Sequence, residues 1–388
     1  MTWKMNRRQF VRQTVAAGAL AAAPATYTVH ARNPDKADTS KILNYSPDME
    51  YRRCGKTELM LSAVCLGGHW KRIGNVLGMM PGPEIWKSGA FQKNRAEVVS
   101  RCIGRGINYI DACTGAEVIA YSKALLGRRE KMYLGYSWCE REPYAEGWRD
   151  FAKLKQSLDS GLKEAGLEYV DLWRLFLEER SSRHSDAEID DCMKALDWAK
   201  RTGRVRYTGI SSHDREHISK LIQKYPNEIQ VVVAPYTPWA AEHADMKRRV
   251  EQGVKLPPSR KPPIPPRFQV VPEPDVRSAM EKADVGWLGS KPFASNALFD
   301  GNSAPGNPDE DRDNRLARLA IRMILRDPLI AAPIPGLLTV EQVDNVALAV
   351  KERQVLDGEE KAELERALDR AWAKLPSQYA WLKAWATV

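Results

Sequence analysis

Between residues 63 and 350 short apolar runs alternate with amphipathic stretches, and this alternation restricts the possible folds more than any other feature. Strand-like runs stand at 63–66, 109–111, 132–136, 170–175, 205–210, 230–234, 285–289 and 329–334. Helical periodicity fills 95–105, 120–126, 151–165, 187–202, 215–224, 275–282, 312–325 and 340–350. Strands buried on both faces read as continuous apolar runs, and parallel strands need a crossover, usually a helix, between them. Eight such units predict an α/β fold closed into a (β/α)8 barrel. A doubly wound open sheet is the alternative, weakened because no G-x-G-x-x-G follows the first strand.

The second strand lies within Gly106-Ile107-Asn108-Tyr109-Ile110-Asp111-Ala112-Cys113 and ends on a single carboxylate. In a barrel of parallel strands catalytic groups gather at the strands' C-terminal ends, which makes Asp111 a candidate. Before the first barrel strand, residues 50–54 and 59–62 alternate around Gly55-Lys56-Thr57 and predict a short hairpin. The first barrel strand ends on Gly67-Gly68, where a ligand can approach the backbone closely. Residues 71–92 and 236–274 are expected as long loops at the barrel mouth. The stretch 255–274 is too rich in proline for helix or central strand. A second polar loop is expected at 301–311 and a charged terminal helix at 358–375.

The N-terminus predicts export. Asn6-Arg7-Arg8-Gln9-Phe10-Val11-Arg12 is a twin-arginine pattern ahead of a small, apolar run, Thr14 to Ala25, too short for a permanent span. Cleavage is expected at Ala23-Pro24-Ala25 or Val29-His30-Ala31, so residues 1–31 read as a signal peptide, 32–49 as a linker and 50–388 as the barrel. Twin-arginine export places the mature protein in the periplasm or beyond. No later run predicts an integral membrane segment. Loss of the signal removes four basic residues and no acid, lowering the formal charge from +9 to about +5. Many remaining basic residues are interleaved with acids, as at 190–201 and 351–370, which describes solvated helix faces and not a nucleic-acid stripe.

Six cysteines, Cys54, Cys65, Cys102, Cys113, Cys139 and Cys192, include no C-x-x-C pair. Disulfides are permitted in an exported chain, and Cys65, Cys102 and Cys113 read as buried small hydrophobes. His213 and His217 stand four apart without the glutamate of H-E-x-x-H, Asp214 reads as a helix-start acid, and no metal site is expected.

The motifs together resemble the aldo-keto reductase superfamily over residues 50–372. Those carrying the likeness are Tyr51-Arg52-Arg53-Cys54-Gly55-Lys56-Thr57 with Leu61-Ser62, Leu66-Gly67-Gly68, and Gly106 to Asp111. Next come Ser122-Lys123-Ala124-Leu125-Leu126-Gly127-Arg128-Arg129, Glu168-Tyr169-Val170-Asp171-Leu172 and Gly203 to His213. Lys291-Pro292-Phe293 and Ile334-Pro335-Gly336 with Thr339, Glu341 and Gln342 complete the set. The resemblance implies a barrel binding NADP or NAD in extended form, with hydride passing between the nicotinamide and a carbonyl carbon. It also implies a proton-donating tyrosine tuned by a lysine, an aspartate paired with that lysine, and an orienting histidine.

Asp111 matches the aspartate. The tyrosine is missing from Thr114-Gly115-Ala116-Glu117-Val118-Ile119, Ser137 stands where the lysine should, and Phe176 stands in place of the histidine. Candidate substitutes are Tyr121 or Tyr136 for the hydroxyl, Glu117 as acid or base, Arg174 as partner of Asp111 or of an anionic substrate, and His69 near the mouth. Each has a plainer alternative: packing for the tyrosines, solvation for Glu117, an outward direction for Arg174, a surface role for His69. Without the lysine, Asp111 pairs with another cation such as Arg174 or takes up a proton.

For the cofactor the resemblance implies Gly67 at the mouth, Ser211 and Ser212 at the carboxamide, Tyr236 stacked on the nicotinamide, and Ser290 and Lys291 at the pyrophosphate. The turn Gly336 to Gln342, with Thr339 as N-cap, suits a phosphate, and Asn345 completes the cofactor set. Leu337-Leu338 replaces the basic residue that would favour NADP. Two functions follow from these residues. One is an exported oxidoreductase with a tightly held dinucleotide and a rearranged acid/base set, acting on a small carbonyl or alcohol compound such as a sugar. The other is a degraded barrel that binds a small ligand or a protein. Trp70, Trp86, Trp138, Trp173 and Trp239 near strand ends suit stacking on a ring or packing at the mouth.

Overall fold

The structure, a computed structural model, describes residues 38–79, 83–177, 184–252, 275–301, 306–352 and 354–387. The expected signal peptide and the proline-dense stretch 255–274 lie outside the described residues.

Strands β1 (Tyr51–Arg53) and β2 (Met60–Ser62) pair antiparallel, with Tyr51 opposite Ser62, as the alternation around Gly55 predicts. Gly55 adopts φ +50° against the backbone of Asp284 to Gly286, where a side chain would collide. The hairpin closes the floor of the barrel: Cys54, Leu59 and Leu61 join Tyr109, Leu172, Val231, Val233 and Leu288 in one buried lumen cluster. Residues 38–49 also pack there. Ile42 and Met49 are buried, and the Asn108 side-chain N–H donates to the Leu43 carbonyl at 3.0 Å. The described part of the expected linker is thus part of the fold.

Seven parallel strands follow in the order of the chain: β3 (Tyr109–Ala112), β4 (Tyr133–Tyr136), β5 (Val170–Phe176), β6 (Val205–Ser211), β7 (Val231–Pro235), β8 (Gly286–Ser290) and β9 (Ile330–Ile334). The expected strand at 63–66 is reduced to bridges, Leu66 with Ile110 and Gly67 with Gly336. It still joins both sheet edges. Cys65 N–H donates to Pro333 O at 3.1 Å, and Asp111 N–H donates to Leu66 O at 2.8 Å. The result is the nearly closed α/β barrel expected from the alternation.

The helices are α1 (Ile73–Leu77), α2 (Gly89–Gly104), α3 (Gly115–Ala124), α4 (Phe151–Ala165), α5 (Asp186–Arg201), α6 (Arg215–Lys224), α7 (Pro238–Glu251), α8 (Val276–Lys282), α9 (Glu310–Leu325), α10 (Val340–Lys351) and α11 (Gly358–Lys374). Side chains of Ser88, Thr114, Asp150, Asp214 and Thr339 cap five of them, and Ser185 with Glu188 and Asp357 with Glu360 form capping boxes. Helix α2 begins at its cap, six residues before the expected start. Helix α7 corrects the expectation of a loop from residue 236: Trp239, Ala240, Ala241 and Ala244 form its buried face. Among the described residues no helix is long and apolar enough to cross a membrane.

After α11 a 3-10 segment, Ser377–Ala386, runs back over the barrel mouth. Leu382, Trp385 and Ala386 are buried there, Trp385 packs edge-on against Trp287, and its indole N–H donates to His213 O at 2.9 Å.

Candidate active site

Successive strand residues point to opposite faces, so the register between strands decides which side chains share the lumen. Asp111 pairs with Gly135, and Arg174 pairs with Gly209. Asp111 and Arg174 meet inside the barrel at its C-terminal end. Arg174 Nε donates to Asp111 Oδ1 at 2.9 Å and Nη2 donates to Oδ2 at 2.6 Å, a bidentate pair. Both side chains are buried, at 2% and 8% exposure. Burial opposes the guanidinium charge, but Asp111 holds the Arg174 pKa well above its ordinary value. The remaining nitrogen, Nη1, donates to Ser211 Oγ at 2.9 Å and lies 3.9 Å from Cys113 Sγ. Arg174 thus supplies the cation beside Asp111 from β5, reaching past the intervening β4.

A second pair sits beside the first. Glu117, on the first turn of α3, is 3% exposed. It accepts from His69 N–H at 2.6 Å, from Cys113 N–H at 2.7 Å, and from His69 Nδ1–H at 3.0 Å. Burial pushes the Glu117 carboxyl up, yet the hydrogen bond and charge of His69, with the backbone donors, hold it below its usual value. The hydrogen bond from His69 to Glu117 pushes the histidine up to about 9. Its ring is 59% exposed at the mouth, so solvent screens part of that interaction. A carboxylate that accepts from Nδ1–H leaves Nε2 as the ring's proton donor. Glu117 is therefore a buried anchor rather than a solvated loop acid.

Cys113 lies between the two pairs. The adjacent Cys139 thiol, then the charges of Arg174 and His69, push the Cys113 thiol down despite burial, while Cys139 is pushed up. Cys113 is half-buried and beside charge, not the apolar residue expected.

Three expected site residues face elsewhere. Tyr136 follows Gly135 on β4 and so turns out of the lumen, packing on Trp138 and Gly161. Tyr121 donates its hydroxyl to Gly67 O at 2.5 Å and packs on Trp70, so neither tyrosine brings its hydroxyl to Asp111. Tyr236 lies one residue past the lumen-facing Pro235. Its ring packs edge-on against Trp287 and its hydroxyl bonds Asp327, which pairs with Arg277, so it does not stack on a nicotinamide at the mouth. Ser137 donates to Glu142 Oε2 at 2.5 Å. Glu142, invisible as a site residue in its charged loop, is wholly buried and also accepts from Trp138 N–H and Trp173 Nε1–H, both at 2.9 Å. Burial pushes its carboxyl up to about 7 against those donors.

On the cofactor side, Ser211 and Ser212 are buried at the end of β6, and Ser290 ends β8. Lys291 Nζ lies 3.0 Å from His213 Nε2 and over the Trp381 ring, and Trp381 stacks on His213 at 4.1 Å. Gly67 and Gly336 form the closing bridge of the barrel. Thr339 caps α10 by accepting from Gln342 N–H at 3.2 Å, and Gln342 Oε1 accepts from Leu338 N–H at 2.7 Å. The buried Arg95 donates to the carbonyls of Leu337 and Leu338 at 2.8 and 2.7 Å, bracing the turn from α2. Asn345 is directed at α9, accepting from Arg318 at 2.6 Å and donating to Asn314 O at 3.0 Å, so its amide serves helix packing. Among the described residues, no cluster of three or more His, Cys, Asp or Glu is placed to hold a metal ion.

A sequence model of the Aldo/keto reductase family matches residues 77–256. The chain is 28% identical over 189 residues to L-glyceraldehyde 3-phosphate reductase of Escherichia coli (strain K12), covering 45% of this chain and 49% of that relative. It thus spans about half the length of that relative. It is 22% identical over 349 residues to L-galactose dehydrogenase of Arabidopsis thaliana, covering 83% of this chain and 95% of that one. The fold matches an aldo-keto reductase of Bacillus halodurans in its holo form, with a TM-score of 0.56, 21% identity, and coverage of 85% and 99%. It also matches an aldo-keto reductase of Klebsiella pneumoniae in complex with NADPH, with a TM-score of 0.56, 17% identity, and coverage of 82% and 94%. The matched segment and the curated relatives show a sequence likeness to aldo-keto reductases, and the solved structures share the barrel fold.

Proposed function

We propose that the protein is a nicotinamide-dinucleotide-dependent oxidoreductase of small hydroxylated carbonyl compounds, in which His69 takes the proton-transfer role of the missing tyrosine. The observation that carries this reading is the side-by-side placement of two buried acids with their bases, Asp111 with Arg174 and Glu117 with His69, at the end of β3. Two relatives bear the names of enzymes of a sugar and a sugar phosphate, which favours a polyhydroxylated substrate here.

The residues present fit a dinucleotide in part. The hydroxyls of Ser211 and Ser212 suit a carboxamide, and Lys291 with the capped start of α10 suits phosphate. The ring expected beneath the nicotinamide is absent, because Tyr236 faces the helix layer. The dinucleotide, when bound, supplies or accepts the hydride. The protein's own residues handle the proton. In reduction, the His69 imidazolium donates from Nε2 to the carbonyl oxygen, and Glu117 keeps Nδ1 protonated and orients the ring. Asp111 fixes Arg174, whose Nη1 stays directed at Ser211 and Cys113, and a buried charge there acts more strongly on a polarised oxygen than a solvated one. We further propose export through Arg7 and Arg8, with the dinucleotide loaded before translocation.

The test is fluorescence titration of the purified protein with NADPH and NADH, followed by turnover of glyceraldehyde and aldose substrates. Binding of either dinucleotide with substrate-dependent oxidation is expected. His69→Gln should lower turnover by about 10²–10⁴-fold while leaving dinucleotide affinity unchanged. In the wild type the reductive rate should decline as pH rises past about 9, where the imidazolium is lost. Binding of neither dinucleotide sinks the reading, and binding without turnover of any carbonyl compound leaves the ligand-binding barrel in its place.

A further inference from the structure

We propose that Cys113 and Cys139 form a thiol–disulfide couple at the barrel mouth that exchanges with small-molecule disulfides. The two cysteines leave adjacent parallel strands, β3 and β4, and the segments are tied together beyond the strand ends. Ser137 N–H donates to Ala112 O at 2.9 Å, Cys139 N–H donates to Cys113 O at 3.2 Å, and Gly115 N–H donates to Glu140 Oε2 at 3.2 Å. The bond from Cys139 N–H to Cys113 O brings the two backbones as close as the Cα separation of roughly 4.4–6.8 Å that a disulfide requires. The two cysteines are also the accessible ones: Cys113 and Cys139 are half-buried, whereas Cys54, Cys65, Cys102 and Cys192 are buried.

The surroundings divide the roles. Arg174 Nη1 lies 3.9 Å from Cys113 Sγ, and the protonated His69 adds a second positive charge, so the Cys113 thiolate is the attacking group. It attacks one sulfur of a small disulfide, releasing one thiolate and forming a mixed disulfide on Cys113. Cys139 then gives its proton to that released thiolate, and its sulfur attacks Cys113 Sγ, displacing the second thiolate, which takes a proton from solvent. The cysteine pair loses two electrons and the small disulfide gains them. Cys113 N–H also holds Glu117, so closure of the disulfide alters the support of the His69–Glu117 pair. The export proposed above would bring the protein to such disulfides in an oxidising compartment. The couple does not depend on hydride transfer, and its readouts are mass and alkylation, so it stands or falls separately from the activity proposed above.

The test uses the reduced full chain and oxidised glutathione as the probe. Expected are a Cys113–Cys139 disulfide by peptide mapping and, in Cys139→Ser, a single glutathione retained on Cys113. Iodoacetamide should label Cys113 first in the unmodified chain, with a pH midpoint at least one unit below the ~8.5 of an ordinary thiol. That second measurement needs no variant to fold. Both thiols remaining reduced, a different cysteine pair closing, or a Cys113 midpoint at or above the ordinary value overturns the proposal.

Discussion

Replacing Arg174 by methionine should destabilise the protein far more than removing any surface ion pair. Arg174 and Asp111 are 2% and 8% exposed, joined by two hydrogen bonds of 2.9 and 2.6 Å. At about 4 Å between charge centres, an effective dielectric constant near 20 gives an attraction on the order of 4 kcal/mol. Removing one partner of a buried pair costs roughly 3–5 kcal/mol, because the other charge stays desolvated. Asp111 would retain the Tyr109 hydroxyl, at 3.3 Å, as a weak side-chain donor. Each kcal/mol moves Tm by about 2–4 °C in domains of 150–250 residues, and by less in a larger one, so a loss of roughly 5–12 °C is expected. The double variant Asp111→Leu/Arg174→Met leaves no charge unpaired and should recover most of that loss. Thermal melts of the four proteins close a double-mutant cycle. A fall under about 1 kcal/mol for Arg174→Met is the size of a solvated pair and would refute the buried pairing. A double variant as unstable as the sum of the singles would refute the electrostatic origin of the cost.

Two further perturbations test the surroundings of the site. Burial pushes Glu142 up to about 7, while an unfolded glutamate titrates near ~4.3, so the folded state holds the extra proton between those values. Stability must therefore fall as pH rises through that window, by on the order of 3 kcal/mol relative to Glu142→Gln, and denaturation from about pH 4.5 to about pH 7.5 that shows a constant difference contradicts it. Gly135→Ala places a methyl group into the Tyr109 hydroxyl and 3.1 Å from Asp111 Oδ1, an overpacking cost of about 1–3 kcal/mol that Tyr109→Phe should partly relieve. A stable Gly135→Ala protein would show that the lumen is looser than the contacts require.

The barrel was legible because periods of 2.0 and 3.6 are local properties of a chain, and α/β alternation restricts the topology. What failed was facing. Tyr136 and Tyr236 each stand next to a lumen position, and a shift of one residue sends a strand side chain to the opposite layer. Nothing in a single sequence reports the register that pairs Asp111 with Gly135 and thereby turns Tyr136 outward. The same ignorance left Arg174 undecided between two directions. Helix α7 was hidden by its neighbour: the proline-dense stretch made the whole of 236–274 read as loop, although Trp239, Ala240, Ala241 and Ala244 already mark one apolar face. His69 and Glu117 are 48 residues apart, and only barrel closure brings the first strand end against α3.

The charges at the site follow one physical rule. A buried carboxylate at the end of β3 has to be met by a cation, and the barrel offers lumen positions for one on every strand. Ser137, just past the end of β4, gives its hydroxyl to Glu142, so that position braces its own loop instead. The charge comes from Arg174, two residues short of the end of β5. Its fork is long enough to reach Asp111 with two nitrogens and Ser211 with the third. A guanidinium stays protonated throughout the physiological range, so it cannot be deprotonated by the group it tunes, and proton transfer has to reside elsewhere. In the proposed mechanism His69 takes that role, with an exposed ring for exchange and a buried carboxylate behind it. On the proposed mechanism, which separates the fixed cation from the mobile proton, a lysine or a tyrosine introduced alone, as Ser137→Lys or Ala116→Tyr, is expected to leave aldose turnover no higher than in the wild type.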